Sequence, residues 1–79
     1  MVALASRADR APARLLDELR DKGAVVYATH GANGCLRVTT AVAPDAIYLD
    51  PRLPGRLLRQ LQSHPSTARA SIYWLAPSD

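Results

Sequence analysis

The sequence predicts an α/β fold, a three-layer sandwich in which helices cover both faces of a parallel sheet. Four short apolar runs alternate strictly with three segments of helical spacing, and the connections between them are short. This order favours parallel strands joined by right-handed crossovers. The apolar runs are continuous, which is typical of strands buried on both faces.

The four predicted strands are short and apolar. They span residues 2–5, 24–28, 46–49 and 71–75. The second is rich in β-branched and aromatic residues, Val25, Val26 and Tyr27, which suit a pleated surface. We interpret residues 30–34, with the sequence HGANG, as a loop after this strand.

Three helices are predicted at residues 13–22, about 33–42 and 56–63. Pro12 suits a first helical turn, where its missing N–H has no intrahelical partner to lose, and Gly23 suits a C-terminal stop. Thr39 and Thr40 weaken the second helix because they are β-branched. The predicted inward faces carry Leu15, Leu16 and Leu19, then Cys35, Leu36, Thr39 and Val42, then Leu57, Leu58 and Leu61.

Composition indicates one small globular domain spanning residues 1–79. A hydrophobic fraction of 48% argues against disorder, and no apolar run is long enough to cross a membrane. The N-terminus lacks the basic region of a signal peptide. The single cysteine, Cys35, excludes an internal disulfide and fits a reducing compartment. We therefore expect a cytoplasmic protein without a membrane partner.

Arginine dominates a net charge of +3. Arg52, Arg56 and Arg59 form a basic patch in which Asp50 is the nearest acid along the chain. Such a patch suits phosphate, nucleic acid or an acidic partner, although a solvated helix face is the simpler interpretation. Neither a recognition-helix motif nor an aromatic stacking platform accompanies it, so nucleic-acid binding is the weaker hypothesis.

Residues 44–55, PDAIYLDPRLPG, contain the most informative motif. An apolar strand ends on Asp50 and runs into a proline- and glycine-rich loop, at the edge where open α/β sheets place their chemistry. The segment resembles the phosphoacceptor loop of bacterial response-regulator receiver domains, and the order of the other elements is similar to that family as well. The resemblance implies the flavodoxin-like strand order 2-1-3-4, in a shortened receiver fold without the last strand and the last two helices.

The resemblance assigns Asp50 to the phosphoacceptor position, but its expected partners differ. Receivers bind Mg²⁺ with an acidic pair at the end of the first strand, where this chain has Ser6 and Arg7. Arg7 would repel a cation, which needs oxygen ligands, and Asp9 lies beyond the strand end. We therefore expect Asp50 to be a vestigial phosphoacceptor that pairs instead with Arg7 or Arg52.

Other receiver features are also absent from the sequence. Ala76 stands at the position where the family has a phosphate-binding Ser or Thr, and the family's lysine has no counterpart here. Phosphoryl transfer needs metal and cationic stabilisation, so we expect no enzyme activity. His30, His64 and Cys35 have no metal-ligand spacing, and residues 31–34 complete no phosphate-binding motif, so neither a metal nor a cofactor is predicted.

The remaining functional candidate is the fourth strand. Without a fifth strand it forms a sheet edge that carries Ile72, Tyr73, Trp74 and Leu75, and such an edge favours association. We expect a homodimer, a swapped element or a heteromeric protein partner. The alternative is that these residues are core and the C-terminal tail covers the edge.

These observations favour a bacterial signalling module of regulatory type, which acts by dimerisation or partner docking and not by aspartyl phosphorylation. The second hypothesis is anion or nucleic-acid binding through the basic patch. The third is residual phosphorylation of Asp50 with Asp9 as a substitute metal ligand.

Overall fold

The computed structural model describes residues 1–9 and 14–75. Strands and helices alternate in the predicted order. The strands are β1 (Val2–Arg7), β2 (Val25–His30), β3 (Ala46–Leu49) and β4 (Ser71–Trp74), and the helices are α1 (Arg14–Asp21), α2 (Gly31–Val42) and α3 (Gly55–Ser63). Ala76 and the rest of the C-terminal tail, which the alternative interpretation places over the sheet edge, lie outside the described residues, as does Pro12.

The four strands form one parallel sheet in the order β2-β1-β3-β4, which confirms the predicted fold. In the register of the central pair, Leu4 lies beside Ile47 of β3, and Ile47 lies beside Ile72 of β4. β1 and β3 are therefore the interior strands, and nearly all of their residues are buried. Continuous apolar runs predicted this two-sided burial.

Helices lie on both faces of the sheet. On the face covered by α2 and α3, Leu4 and Ile47 pack with Cys35, Leu57 and Leu61 in the larger core cluster. On the other face, a smaller cluster packs around Ala3, Leu19 of α1 and Ala46. The two clusters confirm the three-layer arrangement, since each face has its own apolar core.

Several predicted boundaries are wrong. β2, for example, continues to His30 and does not end at Ala28. β1 extends two residues beyond the prediction, to Ser6 and Arg7, and both are buried. Residues 31–34 are not a loop, because α2 begins at Gly31 immediately after β2. Gly31 has a φ of 72°, a left-handed conformation that lets the chain turn from strand to helix in a single residue. The sequence HGANG is typical of a loop, and only the backbone angle distinguishes this abrupt junction from one.

The predicted helix faces are present. Leu19, Cys35, Thr39, Leu57 and Leu61 are buried. None of the helices in residues 1–9 and 14–75 is both long and apolar enough to span a lipid bilayer.

Two glycine substitutions in α2 should have opposite effects. Gly31→Ala should destabilise the fold by about 1 kcal/mol, because alanine disfavours the left-handed conformation. Gly34 is the matched control: a methyl group there would lie 3.7 Å from Cβ of Thr29, an ordinary contact. Gly34→Ala should therefore stabilise the fold by about 0.5–1 kcal/mol through helix propensity. Urea unfolding measures both, and equal signs would contradict the junction described above.

Candidate functional site: an arginine-bound aspartate at the carboxyl edge of the sheet

The carboxyl ends of β1 and β3 bring three charged side chains together. β1 ends at Arg7, and Asp50 follows β3 directly. Because neighbouring parallel strands end at the same edge of a sheet, these residues meet there, and Arg52 joins them from the next turn of the chain. We call Arg7, Asp50 and Arg52 the arginine–aspartate cluster.

Arg52 makes the closest contacts with the Asp50 carboxylate. Its Nε lies 3.2 Å from Oδ1 and 3.1 Å from Oδ2, and its Nη2 lies 2.8 Å from Oδ2. Two guanidinium nitrogens thus bind one carboxylate, a geometry that arginine favours with planar anions. The Arg52 side chain remains 59% exposed, whereas that of Asp50 is 1% exposed. Arg52 therefore covers the buried carboxylate from the solvent side.

Arg7 approaches the same carboxylate from inside the protein. Its Nη1 lies 3.6 Å from Oδ2 of Asp50, and both side chains are almost completely buried. Opposite charges stabilise each other in this setting, because removal of one partner from a buried pair leaves the other charge less well compensated. The sequence predicted that Asp50 pairs with Arg7 or Arg52, and the structure shows that it pairs with both.

Backbone N–H groups complete the coordination of Asp50. The N–H of Ala8 donates to Oδ2 at 3.1 Å, and the N–H of Arg52 donates to Oδ1 at 3.0 Å. The Asp50 N–H itself donates to the Ser6 carbonyl at 3.0 Å, which extends the β1–β3 ladder by one step. The Ala8 contact was not predictable from the residue pattern, because it depends on the turn that follows β1.

Asp9 contacts the cluster from the solvent side. Its side chain is 61% exposed, and its Oδ1 lies 3.1 Å from Nη2 of Arg52. The Arg52 guanidinium therefore links Asp9 to Asp50. Among the described residues, His, Cys, Asp and Glu form no group of three or more that could hold a metal ion.

The hydrogen bonds and charges of the cluster favour the ionised form of Asp50. The hydrogen bonds from the Arg52 side chain hold the pKa of Asp50 well below its usual range, although burial opposes this shift. The Asp50 carboxylate in turn raises the pKa of Arg52. An ionised carboxylate is a nucleophile only when its lone pairs are accessible, and here arginine and N–H donors surround both oxygens.

The three arginines of the predicted basic patch have different surroundings. Arg52 is bound to two carboxylates, whereas Arg56 and Arg59 are exposed on α3. The charge of Arg52 is therefore offset by its two carboxylate partners.

The other titratable residues considered as ligands, Cys35, His64 and His30, lie in different parts of the fold. Cys35 is fully buried in the larger core, and burial raises the pKa of its thiol to about 11, so the thiolate is scarce at neutral pH. His64 Nδ1 lies 2.6 Å from the Ser66 hydroxyl, in the turn after α3. His30 borders an open groove of about 500 Å³ between β2 and α2, which Arg37 also lines.

The outer strand β4 presents large apolar side chains to solvent. Trp74 is 58% exposed and Tyr73 is 48% exposed, while Ile72 is half-buried against the larger core. Leu75 was predicted as part of this surface, but it is 4% exposed and donates its N–H to the Leu49 carbonyl. Its position after the strand turns it into the core, so the exposed surface is Ile72, Tyr73 and Trp74. We call these three residues the β4 surface.

Tyr48, which lies beside this surface, had no predicted role. Tyr48 of β3 stacks on Tyr73 with ring centroids 5.0 Å apart and planes inclined by 21°. The two tyrosines are register partners in the β3–β4 ladder. Aligning the two strands would have revealed the pair, since residues side by side in neighbouring strands share a face.

Removal of the Asp50 charge should destabilise the protein in a pH-dependent way. Asp50→Asn leaves the buried Arg7 guanidinium without its carboxylate, and we expect a loss on the order of 3 kcal/mol at pH 7. Because folding lowers the pKa of Asp50, the ionised group stabilises the fold above its usual pKa, and this contribution declines as the pH falls below it. The difference between wild type and Asp50→Asn should therefore shrink from pH 5 to pH 3.

Urea unfolding over that pH range measures the difference. Glu18→Gln, at an exposed acid of α1, is the matched control and should change stability by less than about 0.5 kcal/mol. A gap between Asp50→Asn and wild type that stays constant with pH would show that the Asp50 charge is not what stabilises the cluster.

Comparison of the chain with protein-family models, with curated proteins and with solved structures gives no match.

Proposed function

We propose that this chain is a receiver-like regulatory module that acts by binding another polypeptide at the edge strand β4, and not by catalysis or aspartyl phosphorylation. The observation that carries the proposal is the contrast between two parts of the sheet. At its carboxyl edge, Asp50 is enclosed by Arg7, Arg52 and two backbone donors. At β4, by contrast, Tyr73 and Trp74 stand largely exposed beside an edge that lacks a neighbouring strand in the described part of the chain.

The arginine–aspartate cluster supports the non-catalytic part of the proposal. A phosphoacceptor carboxylate must bind a divalent cation and attack phosphorus, and both steps need accessible oxygen lone pairs. Guanidinium groups already neutralise Asp50, and a cation there would meet the positive charges of Arg7 and Arg52. The carboxylate is thus suited to holding β1, β3 and the following loop together.

The edge strand supports the binding part. A strand edge displays N–H and C=O groups that pair readily with another strand, and proteins usually protect such edges with charges, proline or bulges. β4 has the sequence SIYW, which contains neither a charged residue nor a proline. Exposed aromatic residues are also enriched at protein interfaces, where they contribute large apolar areas. These features favour docking by strand addition.

Treatment with a small phosphodonor tests the first part. Wild-type protein incubated with acetyl phosphate and Mg²⁺ should gain no phosphoryl group by intact-mass spectrometry, because Arg7 and Arg52 occupy the acceptor. Asp50→Asn is the control for modification elsewhere. A phosphoryl group that wild type acquires and Asp50→Asn does not would overturn the non-catalytic assignment.

Light scattering over a range of protein concentrations tests the second part. We expect the mass of wild type to rise above that of the monomer, and Trp74→Lys to shift this rise to at least about tenfold higher concentration, since it places a charge on the β4 surface. Val25→Lys on the opposite edge is the matched control, because Val25 is 55% exposed and Trp74 is 58% exposed. Equal effects of the two variants would show that β4 is not the interface.

A further inference from the structure

The backbone of β4 fixes which of its groups are available to a partner. The Ser71 N–H donates to the Asp45 carbonyl at 3.0 Å, and the Leu75 N–H donates to the Leu49 carbonyl at 2.8 Å. Since the direction of N–H and C=O alternates along a strand, Tyr73 also faces β3, and Ile72 and Trp74 turn their N–H and C=O groups outward. The open edge therefore offers two donors and two acceptors at these two residues.

Only certain registers allow β4 to pair with a second β4. Directly opposite residues in an antiparallel pair either both face each other with N–H and C=O or both face away. A two-fold axis midway between Ile72 and Tyr73 would place the outward-facing Ile72 opposite the inward-facing Tyr73, which violates this condition. An axis at Ile72 places Trp74 opposite Ala70, which precedes the strand. An axis at Tyr73 instead places Ile72 opposite Trp74 on both sides, so every outward group of β4 meets an outward group of its copy.

The side chains match in the same register. Ile72 and Trp74 share the face that packs against α2 and α3, so the largely exposed indole of one copy would cover the half-buried Ile72 of the other. On the opposite face, the two Tyr73 rings would meet at the axis, each already stacked on its own Tyr48. No charged side chain of β4 enters this contact.

We propose that β4 pairs antiparallel with β4 of a second copy of this chain, about a two-fold axis at Tyr73, to give a continuous eight-stranded sheet. This inference rests on the proposed function, and it names the partner and the register. A second copy fits because one four-residue strand supplies both halves of each contact: its Trp74 covers Ile72, and its outward groups are symmetric about Tyr73. The isologous contact also closes with two copies, whereas pairing of β4 with β2 of another copy leaves a free edge at each end, to which further copies can add.

Amide hydrogen exchange of the wild-type protein tests the inference without a substitution. As protein concentration rises, exchange at Ile72 and Trp74 should slow by roughly tenfold or more, because pairing protects their N–H groups. The matched controls are Val26 and Ala28, whose N–H groups face outward on β2, because the Val25 N–H bonds to the Met1 carbonyl. They should exchange at the same rate at every concentration. Concentration-independent exchange at Ile72 and Trp74 would overturn the proposal.

Cysteine crosslinking tests the register. The two Tyr73 positions would form a non-hydrogen-bonded pair with Cα atoms about 4.5 Å apart, within the range of a disulfide. Tyr73→Cys should therefore give a disulfide-linked dimer under mild oxidation. Trp74→Cys should not, since its copies lie diagonally across the axis. Tyr27→Cys, at a tyrosine of β2 that is 40% exposed, controls for random collision, and wild type controls for the buried Cys35.

The outcomes separate this inference from the proposed function. Crosslinking through Tyr73→Cys alone supports the register. Crosslinking through Trp74→Cys or Tyr27→Cys instead, or through none of them, overturns it. If the protein is nevertheless a dimer that Trp74→Lys dissociates, β4 remains the interface and only the register is wrong. If wild type is a monomer at every concentration, the second copy is excluded as the partner.

Discussion

The buried contact between Arg7 and Asp50 is the constraint on which the centre of this fold depends. It joins the ends of the two interior strands, and both side chains are nearly inaccessible to water. Loss of either charge would be costly, because desolvation of an incompletely compensated ion costs several kcal/mol. The register of β1 against β3, the turn that points the Ala8 N–H at Asp50, and the return of Arg52 over the carboxylate all satisfy this one requirement.

The same contact determines what chemistry the edge of the sheet can support. An open α/β sheet collects its reactive groups where the strands end, and a lone aspartate there would attract a cation. Here the positive charge is supplied by the chain itself, from β1 and from the loop after β3. The Asp50 carboxylate is already neutralised and hydrogen-bonded, so it stabilises the geometry of the sheet. The proposed binding therefore uses another surface, that of β4.

Much of the fold was predictable, because strand and helix periods and short connections leave few topologies for a chain of 79 residues. The pairing of Asp50 with arginine was also predictable, since Arg7 stands where the receiver family has an acid and Arg52 follows Asp50 by two residues. Residues 31–34 were not, because a positive φ at Gly31 permits a junction that composition cannot distinguish from a loop. The burial of Leu75 and the stacking of Tyr48 depend on register and on the exact end of a strand, which sequence patterns locate only within a few residues.

Both outer strands are exposed in the described residues, yet they differ in how they would associate. β2 exposes Val25 and Tyr27 beside His30, and its pairing with β4 of another copy would leave one free β2 and one free β4 at the ends. Pairing of β4 with itself uses both copies of the stronger aromatic surface and leaves only β2 edges. In that arrangement the layer formed by Tyr48 and Tyr73 on one face, and the Trp74–Ile72 contact on the other, would continue each core across the axis. The interface would then be an extension of the sheet that the Arg7–Asp50 contact holds in register.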